Sequence, residues 1–151
     1  MKSKESEFPE TTDVLEQAAK ETGFLLQRAH RKLRAALIEA LKPLEISIGH
    51  FAILGLLSNR GALTQQQLIE ILGTDKSSMV YLIDELERQS LAERRPVTGD
   101  RRAYGIHLTT AGKARLVEGA TIVKNVENAF LKPLNKTERT ELNDMLWRIS
   151  K

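Results

Sequence analysis

Four arginines, Arg94, Arg95, Arg101 and Arg102, stand on either side of a short stretch containing Pro96, Gly99 and Asp100, with only Glu93 and Asp100 as acids among them. A planar guanidinium pairs in a fork with phosphate or carboxylate, and a thin cationic turn suits a narrow minor groove, whose negative potential favours such a group. Asp100 lies two residues from Arg102, close enough to hold one arginine in a fixed pose while others reach phosphates. Taken alone, a charged turn of this kind reads equally well as a solvated surface loop. Upstream, Asp75-Lys76-Ser77-Ser78 followed by Tyr81 offers a cation, two hydroxyls and the N–H groups of a helix start to a phosphate or a base edge. The same residues would serve a capped surface helix with Tyr81 partly buried. Thr64, Gln65 and Gln66 open the preceding helix, where a hydroxyl, side-chain amides and the positive helix end suit a sugar-phosphate backbone.

These groups need a scaffold, and the hydrophobic pattern predicts one. Residues 1–12 are polar and charged and read as a flexible lead-in. From residue 13, Leu15, Ala18, Ala19, Thr22, Leu25, Ala29, Leu33, Ala36, Leu37 and Ala40 recur at three- and four-residue steps, which predicts a long amphipathic helix ending near Pro43. Such a helix carries more apolar face than one small core covers, so a second subunit is its natural cover. Ser47 is placed to cap a helix carrying Phe51, Leu54, Leu56 and Leu57, closed by a left-handed Gly61. Thr64 with Gln67 forms a capping-box pattern before a short helix with Leu68, Ile71 and Leu72 inward. After Gly73, Thr74 or Asp75 caps a further helix with Met79, Leu82, Ile83 and Leu86 as its apolar stripe. Two short helices across a Gly-containing turn make a helix-turn-helix. Residues 91–95 and 104–108 flank the arginine turn as a two-stranded hairpin wing, in which Tyr104, Ile106 and Leu108 alternate with other residues. Thr109 caps a long helix bearing Leu116, Val117, Ala120, Val123, Val126 and Phe130, and Asn135 with Glu138 opens a last one striped by Leu142, Met145, Leu146 and Ile149.

Composition excludes other classes. A chain of 151 residues, 41% hydrophobic and 28% charged, is sized and balanced for one folded domain. Its apolar stretches fall far short of the roughly 20 residues of a membrane span, and the N-terminus lacks a signal peptide's apolar core. The expectation is a cytoplasmic protein with no membrane partner. Having no cysteine, the chain has no disulfide, thiolate zinc site or thiol nucleophile. His30, His50 and His107 are spaced for no metal site. No nucleophile elbow, phosphate-cradling glycine loop or zinc-protease motif is present, so no enzyme, catalytic residue or cofactor is expected. The net charge of +3 is compatible with nucleic-acid binding without requiring it.

Several segments together resemble the MarR family. These are Ile46-Ser47-Ile48-Gly49-His50-Phe51-Ala52-Ile53-Leu54, Gly61-Ala62-Leu63-Thr64, Asp75-Lys76-Ser77-Ser78-Met79, Asp84-Glu85-Leu86-Glu87, Asp100-Arg101-Arg102 and Leu108-Thr109-Thr110-Ala111-Gly112. The likeness covers about residues 15–150, and its most specific part is Asp-Arg-Arg followed by Leu-Thr-x-x-Gly. It implies a homodimer whose terminal helices interlock and whose two winged lobes read a pseudo-palindromic operator in double-stranded DNA. It also implies that Arg102 enters the minor groove and that Asp100 positions it. Two positions depart from the pattern. Val80-Tyr81 stands where many members have Thr-Arg, and Lys76 stands where a proline is common. Base preference therefore does not carry over: Tyr81 can stack on a base or meet a thymine methyl but lacks the fork that reads guanine. The family commonly takes small anionic aromatic effectors. Arg28 and Arg31, one helical turn apart, can hold a carboxylate, with Ile48 and His50 opposite and Phe24 and Phe51 as apolar walls. Solvated arginines and core phenylalanines fit the same residues.

The expected fold is therefore mainly α with a small β-hairpin wing: a winged helix-turn-helix lobe over residues 47–109 between dimerisation helices at 13–44 and 110–151, all one domain over 13–151. The expected function is a sequence-specific DNA-binding transcriptional regulator, a repressor released by a small ligand. The competing reading is a winged-helix protein-interaction module with only nonspecific DNA affinity.

Overall fold

A computed structural model describes residues 20–97 and 100–151, with residues 100–103 described as backbone only. The expected lead-in and the expected helix turns at 13–19 lie outside the described residues. The chain divides between Ala36 and Leu37 into two compact units.

Helix α1, Thr22–Leu41, crosses that division. It gives way to a 3-10 turn, Lys42–Leu44, because Pro43 has no N–H to continue an α-helix. Glu45 turns the chain in the left-handed region at φ 54°. Helix α2, Ile48–Arg60, starts at Ser47, whose Oγ accepts from the His50 N–H at 3.2 Å while His50 Nδ1 accepts from the Ser47 N–H at 3.1 Å. The helix stops at Gly61. Its φ of 79° is positive as expected, but ψ of −156° places it outside the left-handed helical basin, in a region that is essentially glycine's own.

Strand β1, Leu63–Thr64, leads directly into α3, Gln65–Leu72, with Thr64 as cap in the expected reciprocal box with Gln67. Gly73, at φ 61° and ψ 31°, is the left-handed closing residue. Asp75, rather than Thr74, then caps α4, Lys76–Arg88. Strands β2, Ala92–Val97, and β3, Asp100–Leu108, form the hairpin. The sheet has three strands where two were expected, in the antiparallel order β1-β3-β2. Leu63 pairs with Ile106 on one side of β3 and Arg94 with the same residue on the other. Helices α5, Thr110–Phe130, and α6, Lys136–Ile149, follow, capped by Thr109 and by the Asn135–Glu138 box.

The core of the second unit joins these elements. Leu41, Ile53, Leu54, Leu68, Met79, Ile83, Leu86 and Ile106 are all fully buried. At roughly 25 cal/mol per Å², burying such side chains is the main stabilising contribution to a lobe of this size. Two expected core positions face outward instead. Ile71 is 40% exposed, because the inward face of α3 runs through Leu68, Ile69 and Leu72, and Val117 is 68% exposed, because α5 packs through Leu116, Ile122 and Val123. Gly112, in the first turn of α5, lies so close to the sheet lead-in that a Cβ would stand 2.0 Å from the Leu91 carbonyl oxygen.

Candidate nucleic-acid interface

The start of α4 projects Lys76 and Ser77 into solvent, and Tyr81, one turn on, is 63% exposed. The buried stripe Met79, Ile83, Leu86 fixes this orientation, since a helix with one face in the core must present the opposite one. Asp75 accepts from the Ser78 N–H at 2.9 Å and from the Ser78 hydroxyl at 2.6 Å. Those bonds hold its carboxyl below the ordinary value of 3.8. Ser78, expected to contact DNA, therefore has its hydroxyl proton committed to the cap.

At the start of α3, Thr64 Oγ1 accepts from the Gln67 N–H at 3.2 Å, so this expected phosphate donor is also a cap. Gln65 is half-buried. Gln66 is exposed and donates to Glu70 Oε1 at 2.9 Å.

The arginines of the hairpin separate into distinct roles. Arg94 was expected at a cationic tip opposed only by Glu93 and Asp100. Instead its guanidinium turns back to α4, with Nη2 2.6 Å from Asp84 Oδ1 and Nη1 bonded to Glu87, and its backbone N–H donates to Glu87 Oε1 at 2.8 Å. Its side chain is 26% exposed, so it anchors the root of the hairpin. Arg95 is more exposed and pairs with Glu93, two residues away on the same face of β2. The side chains of Asp100, Arg101 and Arg102 lie outside the description, and their backbone continues β3. Asp84 and Glu87 are the residues that sequence reasoning missed. A signal was present, in that two carboxylates one turn apart near the end of a helix precede a strand carrying an arginine on its inward side.

The expected effector residues divide between the two units. Phe24, Arg28 and Arg31 are exposed on α1. At the start of α2, Ile48 and Phe51 are half-buried, and the Phe51 ring seats against Gly119, where a Cβ would stand 2.9 Å from Cδ2. His50 does not present itself to a ligand. It is 6% exposed, its Nδ1 is the reciprocal half of the Ser47 cap, and its Nε2 is buried without a partner among the described residues. Desolvation by burial lowers its pKa from 6.5, against a smaller opposing pull from Glu85. Among the described residues no group of three or more His, Cys, Asp or Glu is arranged to hold a metal ion, and no single helix is long and apolar enough to cross a membrane.

A helix-turn-helix with its second helix exposed at the start and clamped to an antiparallel hairpin defines the winged-helix class of DNA-binding protein. The MarR family model matches residues 44–103. The chain is 30% identical over 131 residues to the HTH-type transcriptional regulator PecS of Dickeya dadantii (strain 3937), covering 83% of this chain and 78% of that protein. It is 28% identical over 132 residues to the putative transcriptional regulatory protein for hcr operon of Thauera aromatica, covering 87% and 80%. A crystal structure of a mutant MarR from E. coli complexed with operator DNA matches with a TM-score of 0.75 at 26% identity, covering 84% of this chain and 91% of that one. The chain belongs to the MarR family of transcriptional regulators, a class of DNA-binding proteins rather than of enzymes.

Proposed function

We propose that the protein is a homodimeric repressor, acting in the cytoplasm on a pseudo-palindromic operator. Each lobe, residues 47–109, sets α4 in a major groove and the β2–β3 hairpin in the flanking minor groove, with half-site centres about one helical turn apart. The observation that carries this reading is the attachment of Arg94 to Asp84 and Glu87, which holds the hairpin root to α4 so that both are presented as one rigid reader. Lys76 supplies a phosphate contact, and Arg95, Arg101 and Arg102 supply the cationic edge, with Asp100 orienting Arg102. Dimerisation through residues 13–44 and 110–151 is supported by apolar side chains left open on the terminal helices, among them Phe24, Met145, Trp147 and Ile149.

Release by a small anionic aromatic ligand is part of the proposal and rests on Arg28 and Arg31, exposed and one turn apart on α1. A ligand shifts the equilibrium only by its differential affinity for the DNA-competent and released arrangements. Arg31→Ala should blunt any response to aromatic acids and spare DNA binding.

The test is an anisotropy titration of the dimer against the DNA upstream of its own gene and against a scrambled duplex at physiological salt. A preference on the order of a thousandfold, with one dimer per site, supports the regulator. Arg102→Ala should weaken operator binding and leave the thermal midpoint close to wild type. Equal weak binding to both duplexes with a steep salt dependence would fit a winged-helix module for an acidic partner.

A further inference from the structure

The exposed stripe of α4 is made of Ser77, Tyr81, Asp84 and Arg88, which fall within about 60° of arc at 100° per residue. Two of these four are already engaged. Asp84 accepts from Arg94 at 2.6 Å, and Arg88 donates to Glu85 through Nε and Nη2 at 3.1 and 2.8 Å. Ser78, at the edge of the stripe, is held by Asp75. On this stripe what remains to meet a base edge is the Ser77 hydroxyl and the Tyr81 side chain, with Lys76 beside them assigned to a phosphate. Neither is a bidentate fork of the kind that reads guanine or adenine, and a hydroxyl serves as donor or acceptor to any base pair. The group left on this stripe that can discriminate by shape is Tyr81, which is 63% exposed and carries an apolar ring below its hydroxyl. In the major groove the only apolar group a canonical base pair offers is the thymine C5-methyl.

We infer that Tyr81 is a specificity-determining residue of α4 and that it reads a pyrimidine 5-methyl group. This rests on the proposed insertion of α4 into the major groove. The ring covers the methyl of one thymine in each half-site, and Ser77 adds a contact of low discrimination beside it. The recognition is apolar, so it is insensitive to salt, in contrast to the phosphate contacts of Lys76 and the hairpin. A 5-methylcytosine at the same place presents the same methyl and is accepted better than cytosine.

The experiment is a selection of preferred duplexes from a randomised pool by the full-length dimer, followed by replacement of each thymine in turn with uracil, which removes the methyl and nothing else. Wild type, Tyr81→Phe and Tyr81→Ala are titrated on each duplex. One symmetry-related thymine per half-site should lose roughly fourfold in affinity on conversion to uracil, the equivalent of one methyl removed from an apolar contact. Tyr81→Phe should show the same loss, and Tyr81→Ala should bind more weakly and not distinguish thymine from uracil there. Tyr81 is exposed, so the thermal midpoint of the alanine variant should match wild type, and the uracil scan on the wild-type protein stands without any variant. A scan that changes wild-type affinity by less than twofold at every thymine, with the selected duplex still strongly preferred over a scrambled one, overturns the methyl reading. An equal penalty in wild type and Tyr81→Ala overturns the assignment to Tyr81. Failure to select any preferred duplex overturns the operator reading beneath both.

Discussion

Arg94 on β2 places its guanidinium 2.6 Å from Asp84 on α4, so the hairpin and the helix that precedes it are joined by a side chain as well as by the chain. With Glu87 as second partner and the Arg94 N–H bonded to the same carboxylate, the junction is fixed in both rotation and distance.

Arg94→Met should therefore lower stability by about 1–2 kcal/mol, since it leaves two carboxylates without their cation in a partly buried setting. In thermal denaturation that is a fall in midpoint of roughly 2–8 °C for a chain of this size. It should also weaken DNA binding while leaving the slope of log affinity against log salt unchanged, because Arg94 holds a carboxylate and not a phosphate. A flattened slope would show that Arg94 reaches DNA after all.

Lys76→Ala carries the opposite signature. Lys76 is exposed at the first position of α4. Its loss should reduce affinity for all sequences alike and lower the salt slope by about two per bound dimer, as expected for one phosphate contact in each half-site. Titrations at several salt concentrations decide it.

Gly112→Ala should destabilise the protein by about 2–4 kcal/mol in urea denaturation, as overpacking against backbone does. The added Cβ would meet the Leu91 carbonyl oxygen at 2.0 Å and Leu108 Cδ1 at 2.7 Å. Neither the carbonyl nor the helix start can withdraw without disturbing Thr109, whose hydroxyl donates to the Ser90 carbonyl at 2.7 Å. A midpoint equal to wild type would mean that this close approach relaxes freely.

The helices were legible in the sequence because both their period and their caps are local. Ser47, Thr64 and Asn135 announce helix starts through residues within one turn. The third strand was not legible. It has two residues, too few for alternation to appear, and its partner Ile106 is remote in sequence. The Arg94 junction was hidden for a related reason: Asp84 and Glu87 face Arg94 only because the chain reverses at Ser90, a non-glycine residue at φ 57°. His50 drew attention as a possible ligand group because a histidine at the third helical position does not resemble the usual Glu or Gln of a capping box.

That same histidine gives the fold a pH dependence with a defined sign. Burial lowers the His50 pKa from its ordinary 6.5, so the unfolded chain binds the proton more readily than the folded one. The stability it confers is complete above about pH 6.5 and declines as pH falls below that value toward the folded pKa. Protonation would also put a proton on Nδ1, where the Ser47 N–H now donates. The thermal midpoint should fall between pH 7 and 5, and part of that fall should vanish in His50→Gln, which keeps a capping side chain at the third position but does not titrate. The depressed carboxylates of Asp75 and Glu85 act only below their ordinary values of 3.8 and 4.5, a separate window. An unaltered pH profile in His50→Gln would remove the histidine from the account.

Thr64 is at once the last residue of β1, paired with Gly105, and the cap of α3. The connection from Gly61 is consequently fixed in length at both of its ends. One residue more or fewer before Thr64 would put either the strand out of register or the helix start out of place. Variation among descendants of this chain should thus come as substitutions between positions 61 and 67, while insertions and deletions accumulate elsewhere.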